Sequence, residues 1–450
     1  MNPGYPVGPL PYLRLNDFQS LMRRWNTLHP YSAGQVMQIS GPCLLPRWQQ
    51  AITEIMGETG LGIPSVTPDG KTVFFAPVKQ YDIIECNDWL AESNRLLNIP
   101  FRSTEPCVRF FVCPGPDDSH YLGAIYDHWI ADSYSMRLLM ARIFAHYRRG
   151  EKDPSLPVLQ LDHHQFWDIY ARNLRWPRWI HSYSQGLKNM FRNRYNYRLH
   201  QEQPLNFHST MLHRQLPDGL INRVHKFAKA QGASVNDAFV AALARAMGRL
   251  TASRRYAKRS RPWRRPRAAV GIGTIADIRK LSAEPMEHVF GLHLASFNHI
   301  LNRPEDTPIG EVLRQTLAHS ERVRTENLTI KGASALVLAR RWWDRYNKPV
   351  HKAQILYKVV PTIGGLSNVN MTGSWVDPGQ QDSSGPRVLD YLRISPTGPL
   401  LPLVFTLTTI GPRLSLCVTW RDTVLNNGVY SEADLRHVVD DFVVELEAMQ

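Results

Sequence analysis

Nowhere in the 450 residues is there an apolar run of about 18 or more, and the start "MNPGYPVGPLPYLRL" has no basic head leading into an apolar stretch. Those two absences argue against a membrane-spanning protein and a secretory leader, and the expectation is a cytoplasmic chain with membrane association left open. Cysteine is scarce: five residues, odd in number, scattered, and without CxxC spacing. A disulfide framework and a zinc site are therefore not expected, and the thiols should be reduced and mostly buried. No short internal repeat appears, which removes the solenoid and propeller classes.

Acidic residues are missing from two stretches that hold all the excess charge. Residues 254–267, "RRYAKRSRPWRRPR", carry eight Arg or Lys, and residues 172–198 carry seven. These fifteen cations account for the net +14 and leave the remainder at −1. The basicity is local, two patches on a neutral body, and no nucleic-acid motif accompanies it. The 172–198 patch interleaves Arg with Trp176, Trp179, Tyr183, Phe191, Tyr195 and Tyr197, a pattern that suits a lipid interface or base stacking equally.

Hydrophobic residues at 43% and charged residues at 20% are ordinary for a folded chain, and the length suits two cores. Strand-like runs ("AGQVMQISG", "CVRFFVCP", "HYLGAIYD", "RAAVGIGTIAD", "LVFTLTTIG", "RLSLCVTW") alternate with helical patterns such as "SVNDAFVAALARAMGRL", with Ser234 or Asn236 as cap. The class is mixed α and β. A first lobe is expected over 1–170, a connecting region over 171–205 rich in Trp, Arg and Tyr, and a second lobe over 206–450.

Three His-x-x-x-Asp pairs occur: His128 with Asp132, His164 with Asp168, and His437 with Asp441. Chance alone supplies about one in a chain of this composition, so spacing selects nothing. His437 and Asp441 fall within a continuous terminal helix opened by Ser431, where four-residue spacing only shares a face. His164 and Asp168 sit where a Pro-containing extended segment becomes a surface helix. His128 alone lies where a strand ends and a helix begins, with Ser133 or Ser135 as the expected cap, and mixed folds expose reactive groups at such strand ends.

"DHWIADSYS" resembles the HHxxxDG signature of the chloramphenicol acetyltransferase-like superfamily, which includes nonribosomal peptide condensation domains, wax ester synthases and plant-type acyltransferases. "LPVLQLDHHQFWDIY", "IADIRK" and "GGLSNVNMTG" are similar to further pieces of that pattern, in the same order along nearly the whole chain. Asp127 stands where the first histidine would be and Ser133 where the glycine would be; no DFGWG-like sequence occurs, which weighs against the plant-type branch. The resemblance implies an α/β fold of the α+β type: two chloramphenicol acetyltransferase-like lobes in a V-shaped pseudo-dimer, with the active site in a tunnel between them.

It implies acyl transfer from a thioester donor to a hydroxyl or amine acceptor, with His128 as general base and Asp132 in a structural ion pair with Arg279. Ser133, Ser367 and Asn368 are candidates to line the substrate tunnel. No bound cofactor or metal is implied; acyl-CoA or a phosphopantetheine-linked acyl group is the donor substrate. Arg261, Arg264 and Arg265 are candidates to steer that donor, free or carried by an acidic carrier protein, and the acceptor is a small molecule or lipid. The rival classes are a catalytically silent recruitment module and a basic membrane-surface or nucleic-acid binder, the nucleic-acid reading being the least favoured.

Overall fold

The computed structural model describes residues 12–162, 178–199, 208–255, 267–346, 348–349, 351–352, 362–381, 385–398, 401–422 and 430–449. Two large sheets organise them. In the first, the strands run in spatial order Val388–Ile394, Ser32–Ser40, Ser119–Asp127, Val108–Gly115 and Ile83–Glu85. Neighbours are antiparallel except the last pair, and Ser32 lies opposite Asp127. The second sheet runs Leu294–Asn302, Ala269–Asp277, Gly364–Asn370, Leu403–Ile410, Arg413–Arg421 and Ser209–Gln215. Its central strand Gly364–Asn370 is parallel to both neighbours.

Each sheet buries an apolar face under helices, as the two periodicities of the sequence dictate. Under the first lie Leu45–Thr59 and Ser133–Arg149, the latter with Met136, Leu139, Met140 and Ile143 fully buried. Trp48 and Tyr147 stack between these helices with ring centroids 3.6 Å apart. Under the second, Val235–Arg255 is buried on almost every side because Ala238, Ala241, Ala242, Ala244 and Ala246 let neighbours approach closely. Ser234 caps it, exchanging hydrogen bonds with Asp237. Ser431 forms the same kind of capping box at the start of Glu432–Glu447.

The chain does not divide cleanly at residue 205. Val388–Ile394, late in sequence, forms the edge strand of the first sheet. Val289–Phe290 pairs in parallel with Gln160–Leu161, and Phe290 and Leu292 belong to the first core. These two crossings hold the halves in contact and bring residues 277–293 onto the start of helix Ser133–Arg149. The cysteine expectation is corrected in one respect: Cys86 and Cys113, at the ends of neighbouring strands, form a disulfide with Cα atoms 4.9 Å apart. Five scattered cysteines give no pairing signal until the parallel register of Ile83–Glu85 on Val108–Gly115 sets these two side by side. Cys107 and Cys417 are free and buried; Cys43 is free and exposed.

Candidate functional site

His128 follows directly on strand Ser119–Asp127, in a turn closed by the Ile130 N–H donating to the Asp127 carbonyl. Its own N–H donates to the Tyr31 carbonyl at 3.1 Å, and its ring stacks on Tyr31 and meets the edge of Tyr126. Nδ1 lies 2.9 Å from the Ala131 carbonyl, which fixes the Nδ1–H tautomer and leaves Nε2 with the lone pair. Burial pushes the imidazole down to about 4. The ring is therefore neutral at pH 7, as a proton acceptor must be.

The helix that follows starts at Ser133, and its cap is Asp132 rather than the expected Ser133 or Ser135: one Asp132 carboxylate oxygen accepts from the Ser135 N–H at 2.9 Å. Asp132 is completely buried. Arg279 grips both its oxygens, Nη1 at 2.8 Å and Nη2 at 3.1 Å, and the His293 N–H adds a third donor at 2.8 Å. Burial works to raise the Asp132 carboxyl, but the Arg279 guanidinium overrides it and holds it down at about 2. The Ser135 hydroxyl completes the knot, donating to the Gly291 carbonyl while accepting from Arg279 and from the Gly291 N–H. Arg279 also lies over the Tyr134 ring. The structure thus brings Asp132 and Arg279 together across 147 positions.

Asp127 accepts from the Asn26 amide at 2.5 Å and from the Trp129 indole at 2.7 Å, and burial raises it to about 6. The Asn26 side-chain carbonyl in turn accepts from the Tyr31 N–H. Asp127 therefore ties the turn to the segment that carries the ring stacked on His128. Ser133 occupies the first helical position, where φ is negative, so the glycine of the motif is not needed there.

His128 and Ser133 line a cavity of about 1340 Å3, part of it open to solvent, formed between the two sheets. Ser367, Asn368, Thr274 and Asn298 line it from the second sheet, and Phe18, Met22, Trp25 and Tyr31 give it an apolar wall. The side-chain carbonyl of Asn368 is buried without a donor.

Arg393, which the sequence reading did not single out, also lines this cavity and is buried. Its donors reach the Leu407 carbonyl at 2.6 Å, Ser367 Oγ at 3.2 Å, the Ser367 carbonyl at 3.3 Å, Thr408 Oγ1 at 3.3 Å and Ser133 Oγ at 3.5 Å. Burial, with Arg137 nearby, lowers it to about 9. A single Arg in "VLDYLRI" was the only signal, and it reads as an exposed charge until that segment is known to be the edge strand of the first sheet.

The other candidates separate. His437 is exposed on the terminal helix and Asp441 pairs there with Arg249. His164, Asp168, Arg261, Arg264 and Arg265 lie outside the described residues. Within the basic stretch, Arg255 is an exception to surface charge: it is buried and paired with Glu305 at 2.5 Å. Among the described residues no helix is long and apolar enough to cross a membrane, and no three His, Cys, Asp or Glu side chains gather as a metal site.

The fold has counterparts among solved structures. The first condensation domain of the calcium-dependent antibiotic synthetase, in complex with a substrate analogue, matches at a TM-score of 0.68 with 15% identity, over 97% of this chain and 95% of that one. VibH, a nonribosomal peptide synthetase condensation enzyme, matches at 0.58 with 13% identity over 96% and 93%. Polyketide synthase associated protein 5 from Mycobacterium tuberculosis matches at 0.63 with 12% identity over 99% and 100%. No protein-family model and no curated protein matches the sequence. The whole-chain likeness shows the fold: the chain adopts the condensation-domain fold.

Proposed function

We propose that the protein is an acyltransferase that moves an acyl group from a thioester to a hydroxyl or amine. The observation that carries this reading is the buried, neutral His128, with Nδ1 tied to the Ala131 carbonyl, on the wall of a cavity shared by both sheets. Nε2 takes the proton of the acceptor O–H or N–H as that atom attacks the thioester carbonyl. The tetrahedral intermediate collapses, the C–S bond breaks, and the imidazolium returns the proton to the departing thiolate. Asp132 takes no part in proton transfer; held by Arg279, it fixes the first turn of the helix and so the loop that aims His128. The donor is acyl-CoA or an acyl group on a carrier protein, both of which arrive on a phosphopantetheine arm.

A peripheral membrane contact is a further part of the reading, for an acceptor delivered from lipid. Tyr183, Leu187, Met190 and Phe191 are exposed at helical spacing on one side of helix Arg178–Arg192, beside the exposed Lys188.

The test is mass spectrometry of the purified protein incubated with mixed acyl thioesters and an extract of its own cells. The expected result is a product heavier than an extract component by one acyl group, absent with His128→Ala. The same product in both samples, or none in either, rejects the reading.

A further inference from the structure

Among the described residues, three ionisable groups besides His128 and the tyrosines line the cavity: Arg137, Asp277 and Arg393. Asp277 is engaged by Arg279, whose Nη1 lies 3.3 Å away. Among the described residues neither Arg137 nor Arg393 has a carboxylate partner. Arg393 is buried among neutral oxygens alone, and removing a guanidinium from water without a counter-charge is costly. Arg137 makes that cost larger, since both guanidinium groups reach the same Ser133 hydroxyl, at 3.4 and 3.5 Å. One small anion standing beside Ser133 touches both. Beyond them the wall is aromatic and aliphatic, through Trp25 and Tyr31.

We infer that the cavity selects a substrate bearing a carboxylate, held by Arg393 and Arg137 beside Ser133, with an apolar body lying along the Trp25 and Tyr31 wall. A planar guanidinium fork matches a carboxylate in two parallel hydrogen bonds, and the pair neutralises the excess positive charge beside Ser133. The inference deepens the acyltransferase reading by naming the substrate class. The carboxylate belongs either to the acyl chain or to the acceptor.

Binding is tested first, without any reaction. Octanoate and octanamide are titrated calorimetrically into the wild-type protein, His128→Ala, Arg393→Gln, Arg137→Gln and Arg393→Lys. Wild type and His128→Ala should prefer octanoate at least about tenfold, Arg393→Gln should abolish the preference, Arg137→Gln should weaken it, and Arg393→Lys should keep part of it. Equal affinity for the two probes in wild type, or an unchanged preference in both glutamine variants, overturns the inference. If Arg393→Gln does not fold, Arg137→Gln and Arg393→Lys decide.

Transfer assays then compare succinyl with butyryl thioesters, and an amino acid with its amide as acceptor. Loss of selectivity in Arg393→Gln for the first pair places the carboxylate on the acyl chain; loss for the second places it on the acceptor. An equal fall in kcat for every substrate makes Arg393 a group for the reaction's oxyanion and also overturns the inference. Absence of transfer with every pair counts against the acyltransferase reading, while the binding result still decides this one.

Discussion

The base proposed here must be neutral and aimed, and at His128 separate neighbours supply both conditions. Burial keeps it neutral, the Ala131 carbonyl fixes the tautomer, and Tyr31 and Tyr126 hold the ring plane. Three buried groups in this turn also give stability a definite pH dependence. His128 is lowered from 6.5 to about 4, so its contribution is present above pH 6.5 and is lost as pH falls through 4. Asp132 is lowered from 3.8 to about 2, so its contribution is present above pH 3.8 and is lost as pH falls through 2. Asp127 is raised from 3.8 to about 6, so its contribution is present below pH 3.8 and is lost as pH rises through 6. Asp132→Ala removes the acidic partner of a buried pair and should lower unfolding free energy by about 3–5 kcal/mol at pH 7, read by urea titration. A change below about 1 kcal/mol would mean that Arg279 is solvated rather than buried. The pairing of Asp132 with Arg279 was legible only through the order of motifs, because nothing local at either residue names a partner 147 positions away. Arg393 was not legible at all, since charge in a short apolar run has no sign of burial until the strand's neighbours are known.

Among the elements, Val388–Ile394 matters most to the site. It carries Arg393 into the cavity, and its Tyr391 hydroxyl donates to the Gln35 side chain, whose amide donates to the Ser133 carbonyl at 2.9 Å. Tyr391→Phe leaves a buried amide oxygen without its donor and should cost about 1–3 kcal/mol, measured by denaturant unfolding. It should also alter turnover more than an exposed change such as Val444→Thr. Most strands of the two large sheets and the helices Ser133–Arg149, Val235–Arg255 and Glu432–Glu447 were legible, because strict alternation or 3.6-residue spacing records a half-buried face. The edge strand Val388–Ile394 was not: "VLDYLRI" is broken by Asp390 and Arg393, and it pairs with Ser32–Ser40, some 350 residues earlier. The exposed side of Arg178–Arg192 supports a separate expectation. Co-sedimentation with anionic vesicles should fall several-fold in Leu187→Asp and decline with salt; equal sedimentation of both proteins removes the membrane contact from the account.

At the scale of the molecule, two cores share one cavity and the chain crosses between them more than once. Residues 1–205 lack both Val388–Ile394 and the Val289–Leu292 segment that packs into the first core. Produced alone, that fragment should be insoluble or unfolded by circular dichroism, whereas co-expression with residues 206–450 should yield a complex that co-purifies. A stable, monomeric 1–205 fragment would mean that the crossings are incidental. The same crossings put His128 on one wall and the strands of the second sheet on the other. That joint chamber is tested most directly by the pH dependence of thiol release from an acyl thioester in the presence of acceptor, compared for wild type, His128→Ala and His164→Ala. The account predicts an acid limb near pH 4 in wild type, a fall of about 10²–10⁴ in turnover for His128→Ala with an unchanged circular dichroism spectrum, and little change for His164→Ala. Thiol release by His128→Ala at the wild-type rate, or its loss in His164→Ala instead, would contradict it.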